Sequence, residues 1–162
     1  MRRSLPLLIG FIIFGCFVAA CDSDPEQPEQ NLPTPRAVAD TAYTVTSTGL
    51  KYYDFEVGAG DSAKAGDQVQ VHYSGWLTNG QLFDTSIGRQ PIQFILGGNQ
   101  VIPGFDEGIT GMQVGGDRQI VIPPDLAYGQ TGNGAIPPNA TLIFEIQLVN
   151  VVHASSSASS NP

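Results

Sequence analysis

The stretch Val101-Ile-Pro-Gly-Phe-Asp-Glu-Gly-Ile-Thr-Gly-Met112 decides the fold, because here an apolar strand-like run passes into a helical pattern. Its proline suits the first turn of a helix, where the missing N–H would have no partner. Asp106 and Glu107 place negative charge at the positive end of the helix dipole. Gly108 and Gly111 limit the helix to about two turns. The stretch therefore predicts one short helix entered from a strand.

One face of this helix is apolar. At a period of 3.6 residues Phe105, Ile109 and Met112 lie on the same side, where they can form the floor of a pocket against a sheet. The rest of the chain reads as strands and loops, and the predicted strands are 43–47, 50–57, 68–77, 81–86, 91–96, 118–123 and 141–152. The long loop 123–139 is expected to be functional, because loops of this length rarely serve as mere connections.

Composition limits the class of protein. The 162 residues are 41% hydrophobic, enough for one domain with a true core plus extensions. Nineteen glycines and twelve prolines favour many turns and a small antiparallel sheet fold. The formal net charge of -8 argues against nucleic acid as a partner.

The N-terminus has the form of a bacterial export signal, with basic residues at 1–3, an apolar run at 5–17 and small residues at 18–20. Residues 18–21 resemble a lipobox, which predicts cleavage of the signal peptide 1–20 and lipidation of Cys21. The protein would then be anchored in the bacterial cell envelope, on the periplasmic or other extracytoplasmic side. Two alternatives are an uncleaved transmembrane anchor and cleavage after Ala20 that leaves a free thiol.

Composition also predicts the division of the chain. Residues 21–41 form a Pro/Glu/Gln-rich tether, residues 42–153 the folded domain, and residues 154–162 a Ser-rich tail. Two histidines, His72 and His153, and a lone cysteine in the mature chain are too few for an ordinary zinc site. We therefore expect no metal and no cofactor. No Ser-His-Asp or Cys-His arrangement is visible.

Six motifs along the chain resemble the FKBP family of peptidyl-prolyl cis-trans isomerases, in order and with nearly the family's spacing: Val71-His-Tyr-Ser-Gly-Trp-Leu, Asn79-Gly-Gln-Leu-Phe-Asp-Thr-Ser, Val101-Ile-Pro-Gly-Phe, Ala127-Tyr-Gly, Ile136-Pro-Pro and Ala140-Thr-Leu-Ile-Phe. The likeness covers residues 50–152. It implies an α+β fold, with a curved antiparallel half-barrel sheet wrapped around one short helix. It also implies catalysed rotation about X-Pro bonds, here in exported proteins whose folding would be assisted.

The resemblance places the family's functional positions on residues of this sequence. It implies catalytic roles for Asp84, Tyr128 and the backbone N–H of Ile102. It implies a substrate pocket formed by Tyr73, Phe83, Val101, Ile102, Phe105, Ile136 and Phe144. Two readings of Asp84 remain open, because it can orient Tyr73 or act on the substrate carbonyl, or it can cap local N–H groups beside Thr85 and Ser86.

The resemblance also implies partners. These are proline-containing unfolded or exported polypeptides and the macrolides tacrolimus and rapamycin, bound by a monomer. The sequence departs from the family at Phe105, where tryptophan is usual, and at Ile92, where phenylalanine is common. The loops at 86–91 and 132–136 are each a residue shorter. The alternative function is a chaperone module that binds proline segments without turnover, but the retained Asp84, Tyr128 and Phe105 favour turnover.

Overall fold

The structure, a computed structural model, describes residues 33–154 as an antiparallel seven-stranded sheet with one short α-helix. The strands and the α-helix in chain order are β1 (Thr44–Val45), β2 (Lys51–Glu56), β3 (Gln68–Leu77), β4 (Leu82–Thr85), β5 (Ile92–Ile95), α1 (Pro103–Ile109), β6 (Asp117–Ile122) and β7 (Leu142–Val152), and single 3₁₀ turns lie at Asp40–Ala42 and Pro124–Leu126. The strand order is β1-β2-β6-β7-β3-β4. Strand β5 lies outside this order and, like β4, pairs with β3. The predicted α+β fold is confirmed, with a curved sheet that does not close into a barrel.

The two longest strands, β3 and β7, form the centre of the sheet. They pair in antiparallel register from Gln68 opposite Val152 to Leu77 opposite Leu142, with one bulge near Val71. Side chains along β7 alternate as predicted, and the inward-facing set is buried: Leu142, Phe144, Ile146 and Leu148. The predicted hairpins β1–β2 and β3–β4 are also present, and Gly80 takes a left-handed φ of 83° in the second.

Helix α1 packs directly on β6. Phe105, Ile109 and Met112 are each at most 3% exposed, so the predicted apolar face is in the core. Gly104 and Gly108 permit this close approach, since a Cβ at Gly104 would lie 2.3 Å from Ile122 Cγ2. The sequence interpretation treated Gly108 only as a residue that ends the helix. Its second role depends on a distant strand and was not visible.

Arg118 ties the end of α1 to two strands. Its Nη1 donates to the carbonyl of Gly108 at 3.0 Å, and its Nε pairs with the Asp54 carboxylate at 2.6 Å. The guanidinium carbon also lies 4.4 Å from the centroid of the Tyr52 ring. These contacts hold the helix in position beneath the sheet.

Residues 33–43, which we name the N-terminal strap, lie against the sheet face that looks away from α1. Trp76 Nε1 donates to the carbonyl of Pro33 at 2.5 Å, and Gln119 Nε2 donates to the carbonyl of Arg36 at 2.9 Å. The sequence analysis assigned residues 33–41 to a solvated tether, because few of their side chains can join a core. The strap instead docks through hydrogen bonds and ion pairs.

The predicted signal peptide, Cys21 and nearly all of the Ser-rich tail lie outside the described residues. Within 33–154, no helix is long and apolar enough to cross a membrane.

Candidate active site

A cavity of about 190 Å³ opens between the start of α1 and the inner face of the sheet. Strand β3 contributes Tyr73, β4 contributes Asp84, and β7 contributes Phe144. The complete lining is Tyr73, Asp84, Ile92, Gln100, Val101, Ile102, Phe105, Tyr128 and Phe144. The long loop 123–139 reaches the cavity through Tyr128. Residues far apart in sequence thus meet at one mostly apolar recess.

Aromatic rings form the wall and floor of this cavity. The Phe105 and Phe144 ring centroids are 5.2 Å apart at 72°, and those of Tyr73 and Phe105 are 5.7 Å apart at 80°. Phe83 packs edge-on against Phe144, with centroids 5.5 Å apart. Edge-to-face packing of this kind is attractive and fixes ring orientation. The wall is therefore preformed rather than assembled around a ligand.

Gly75 on β3 allows two of these rings to sit close to the strand. A Cβ at this position would lie 2.7 Å from Phe144 Cε1 and 2.7 Å from Phe83 Cζ. Any larger residue would push both rings away from the sheet. Gly75 therefore shapes the aromatic wall without lining the cavity.

Asp84 both orients Tyr73 and caps a local N–H group, whereas its action on the substrate carbonyl stays a prediction. One carboxylate oxygen accepts the Tyr73 hydroxyl at 2.5 Å, and the other accepts the backbone N–H of Thr85 at 2.8 Å. Burial raises the pKa of Tyr73, and the hydrogen bond to Asp84 raises it further. A tyrosine whose pKa is raised remains protonated through neutral and mildly alkaline pH. Tyr73 is therefore held as a neutral donor to Asp84.

The Ile102 N–H and the Tyr128 hydroxyl lie at the cavity without a hydrogen-bond partner within residues 33–154. Ile102 precedes α1 in an extended conformation, and its N–H donates to no backbone oxygen there. The Tyr128 hydroxyl likewise makes no hydrogen bond within that range, although its ring lines the cavity. An apolar recess with two free polar groups at its edge can hold an apolar ring and orient an attached amide.

The structure brings seven of the predicted site residues to the cavity: Tyr73, Asp84, Val101, Ile102, Phe105, Tyr128 and Phe144. Phe83 stands behind Phe144, and Ile136, 7% exposed, belongs to the adjoining core. Ile92, which the sequence analysis named as a departure from the family, also lines the cavity, and so does Gln100, to which it assigned no role. The position of Gln100 directly before Val101 was the available signal. The structure shows no group of three metal-ligating side chains among residues 33–154.

Comparison with known proteins gives consistent matches. The model of the FKBP-type peptidyl-prolyl cis-trans isomerase family matches residues 60–149. An FK506-binding protein of Neisseria meningitidis serogroup B is 50% identical over 105 residues, which cover 64% of this chain and 96% of that protein. FK506-binding protein 4 of Dictyostelium discoideum is 52% identical over 104 residues, which cover 64% of this chain and 28% of that protein.

Solved structures include a similar one, the crystal structure of FkpA from Escherichia coli. It has a TM-score of 0.66 and 44% sequence identity, and the match covers 71% of this chain and 54% of FkpA. This chain therefore spans about half of FkpA and little more than a quarter of the Dictyostelium relative. The match to the meningococcal protein extends over nearly that whole protein.

Proposed function

The chain belongs to the FKBP-type peptidyl-prolyl cis-trans isomerase family, and from this premise we propose that it accelerates rotation about X-Pro bonds in polypeptides exported to the cell envelope. Its folded domain is a peptidyl-prolyl isomerase domain. The observation that carries the proposal is the preformed aromatic cavity of about 190 Å³ beside the free N–H of Ile102. The exported substrates are inferred from the signal-like N-terminus.

The reaction needs no bond cleavage. Partial double-bond character gives the X-Pro bond a barrier of about 18–20 kcal/mol, and uncatalysed rotation takes tens to hundreds of seconds. In the twisted transition state conjugation is lost and the carbonyl oxygen carries less charge. A cavity that excludes water therefore disfavours the planar amide relative to the twisted one, which is the differential stabilisation that catalysis requires.

Seven of the nine lining residues have a role in this proposal. Tyr73, Phe105 and Phe144 enclose the proline ring, and Val101 closes the side next to the helix. The Ile102 N–H and the Tyr128 hydroxyl hydrogen-bond the peptide on either side of the rotating bond. Asp84 fixes the ring of Tyr73. No group has to exchange a proton, so the rate should vary little with pH while Tyr73 is neutral.

Tyr128→Phe tests one of these roles with little effect on the fold. It keeps the ring and removes a hydroxyl that has no hydrogen bond within residues 33–154, so stability should stay within about 0.5 kcal/mol of the unchanged chain. One hydrogen bond to the substrate is worth about 0.5–1.5 kcal/mol, so kcat/KM should fall between about twofold and tenfold. Tyr53→Phe removes a hydroxyl outside the cavity lining and serves as the control. Equal activity of both variants would exclude the Tyr128 hydroxyl from catalysis.

Macrolides that bind the family are expected to occupy the same cavity. The similar meningococcal and Dictyostelium proteins are named for binding FK506 (tacrolimus). Phe105 offers a smaller floor than tryptophan, and the shortened rim loops remove contacts. Tacrolimus and rapamycin should therefore compete with peptide, more weakly than in members that carry tryptophan at this position.

The proposal also includes a location. Residues 18–21 support a lipoprotein signal, so the mature protein would be a monomer anchored by a lipid on Cys21, with proline-containing exported chains as its substrates.

Cys21→Ala should prevent lipidation and leave the protein uncleaved or released. Membrane fractionation with labelled-palmitate incorporation measures this. A Cys16→Ala variant is the control and should remain lipidated. A Cys21→Ala chain that still incorporates label would overturn the proposed anchor.

A further inference from the structure

A second and larger cavity, of about 330 Å³, lies between the N-terminal strap and the outer face of the sheet. Glu145 faces it, whereas its neighbour Phe144 faces the isomerase cavity, because successive residues of a strand point to opposite faces. Ser74 on β3 and Gln119 on β6 are the register partners of Glu145, so all three share the outer face. This site therefore lies on the opposite face of the sheet from the isomerase cavity, and Tyr73 is the one residue that lines both.

The outer face holds one arginine of the strap through both its side chain and its backbone. The Arg36 guanidinium donates to Asp117 at 2.7 Å and to Glu145 at 2.9 Å, and it lies 3.5 Å from the centroid of the Phe55 ring. The Arg36 N–H donates to the other oxygen of Glu145 at 2.5 Å. Gln119, only 1% exposed, donates to the Arg36 carbonyl. Five interactions thus converge on a single residue.

The first proline of the strap, Pro33, is held by an indole. Trp76 is 2% exposed and donates its indole N–H to the carbonyl of Pro33. The strap sequence here is Pro33-Thr-Pro-Arg36, and proline pre-orders the extended conformation that aromatic grooves recognise at low entropic cost. An indole, two carboxylates and a buried amide therefore form a binding groove for an extended proline-arginine segment.

We propose that this outer groove is a second peptide-binding site, which the strap fills in the free protein and which takes Pro-x-Pro-Arg segments of other polypeptides when the strap opens. One of these contacts is open to water, because the side chains of Arg36 and Asp117 are 42% and 31% exposed and ion pairs in contact with water contribute little. Opening the strap must also break the contacts of Arg36 with Glu145, whose side chain is 16% exposed, and with Gln119. The strap also leaves part of the groove unfilled, since the cavity continues toward His72 and Ile87. The acidic groove and the acidic chain both favour a basic partner.

A labelled synthetic peptide with the sequence of residues 30–38 provides the test. Its binding is measured by fluorescence anisotropy, under excess rapamycin, to the full chain and to full chains carrying Arg36→Ser, Arg36→Ser with Glu145→Gln, or Arg36→Ser with Asp125→Asn. The last variant removes one charge outside the groove and is the control. Trp76, the single tryptophan of the sequence, reports the groove independently through its emission.

The Arg36→Ser chain should bind the peptide at least about tenfold more tightly than the unchanged chain, because its own strap no longer competes well. Glu145→Gln, or a peptide with serine in place of arginine, should reverse this gain, and Asp125→Asn should not. Trp76 emission should shift to longer wavelength in Arg36→Ser and return when peptide binds. No binding to Arg36→Ser at about 1 mM peptide, or equal affinity for the arginine and serine peptides, would overturn the proposal. A peptide that binds Arg36→Ser only when rapamycin is left out would belong to the isomerase cavity, which also overturns the proposal.

Discussion

Replacing Phe144 with alanine is expected to lower kcat/KM for an X-Pro peptide by at least about a hundredfold, a loss of roughly 2.7 kcal/mol of transition-state stabilisation. The Phe144 ring contacts three other aromatic rings, those of Tyr73, Phe83 and Phe105. Its removal opens the cavity to water and frees its neighbours to turn. Both changes weaken the preference for the twisted amide.

The same substitution should cost about 3–5 kcal/mol of stability, so an activity loss has to be separated from unfolding. Leu148→Ala is the matched control, because Leu148 is fully buried on the same inward face of β7 and does not line the cavity. It should destabilise by about 2–5 kcal/mol, yet the folded variant should keep its kcat/KM within about threefold. Urea unfolding and the isomerase assay, both run on fully folded samples, measure the two effects. Equal activity losses in the two variants would contradict a specific role for the Phe144 ring.

Replacing Gly104 with alanine is expected to destabilise the domain by about 2–3 kcal/mol. The new Cβ would lie 2.3 Å from Ile122 Cγ2 and 3.2 Å from Leu126 Cβ, so the helix must move away from β6. The intrinsic helix preference of alanine over glycine recovers at most about 1 kcal/mol. Because Phe105 follows Gly104 directly, the shift should also disturb the cavity floor.

Gly108→Ala, one helical turn later, is the comparison variant, for which we expect a smaller loss of stability. Its Cβ would lie 2.8 Å from Ile120 Cδ1, the flexible end of a side chain, and 2.9 Å from Cγ2. It should therefore cost less than Gly104→Ala in the free energy of unfolding measured in urea. If Gly104→Ala were as stable as the unchanged chain, α1 would not sit this close to β6.

The sequence predicted the fold closely because its strongest signals are local. The alternation from Gln68 to Leu77 matches β3, and the proline at 103 begins α1. The inward-facing residues of β7 also follow from the two-residue alternation of side chains along a strand. What the sequence missed were contacts between distant elements, such as the closeness of Gly104 to Ile122.

The site was predicted less completely for the same reason. Resemblance identified the residues that the structure gathers at the cavity, but it did not assign Gln100, whose place depends on how the chain turns into α1. The strap was missed because composition measures what a segment can bury, whereas Arg36 is held by polar groups. Its partner Glu145 is 109 residues away in sequence. No local pattern reports such a pairing.

The most direct test of the central claim is a protease-coupled assay of cis-to-trans isomerisation, in which the protease cleaves only the trans form of an X-Pro peptide. We predict that the full chain accelerates the slow phase in proportion to its concentration and that rapamycin abolishes the acceleration. Because the pKa of Tyr73 is raised, the acceleration should stay nearly constant between about pH 6 and pH 9. A folded chain that accelerates no X-Pro peptide and binds neither rapamycin nor tacrolimus would contradict the account.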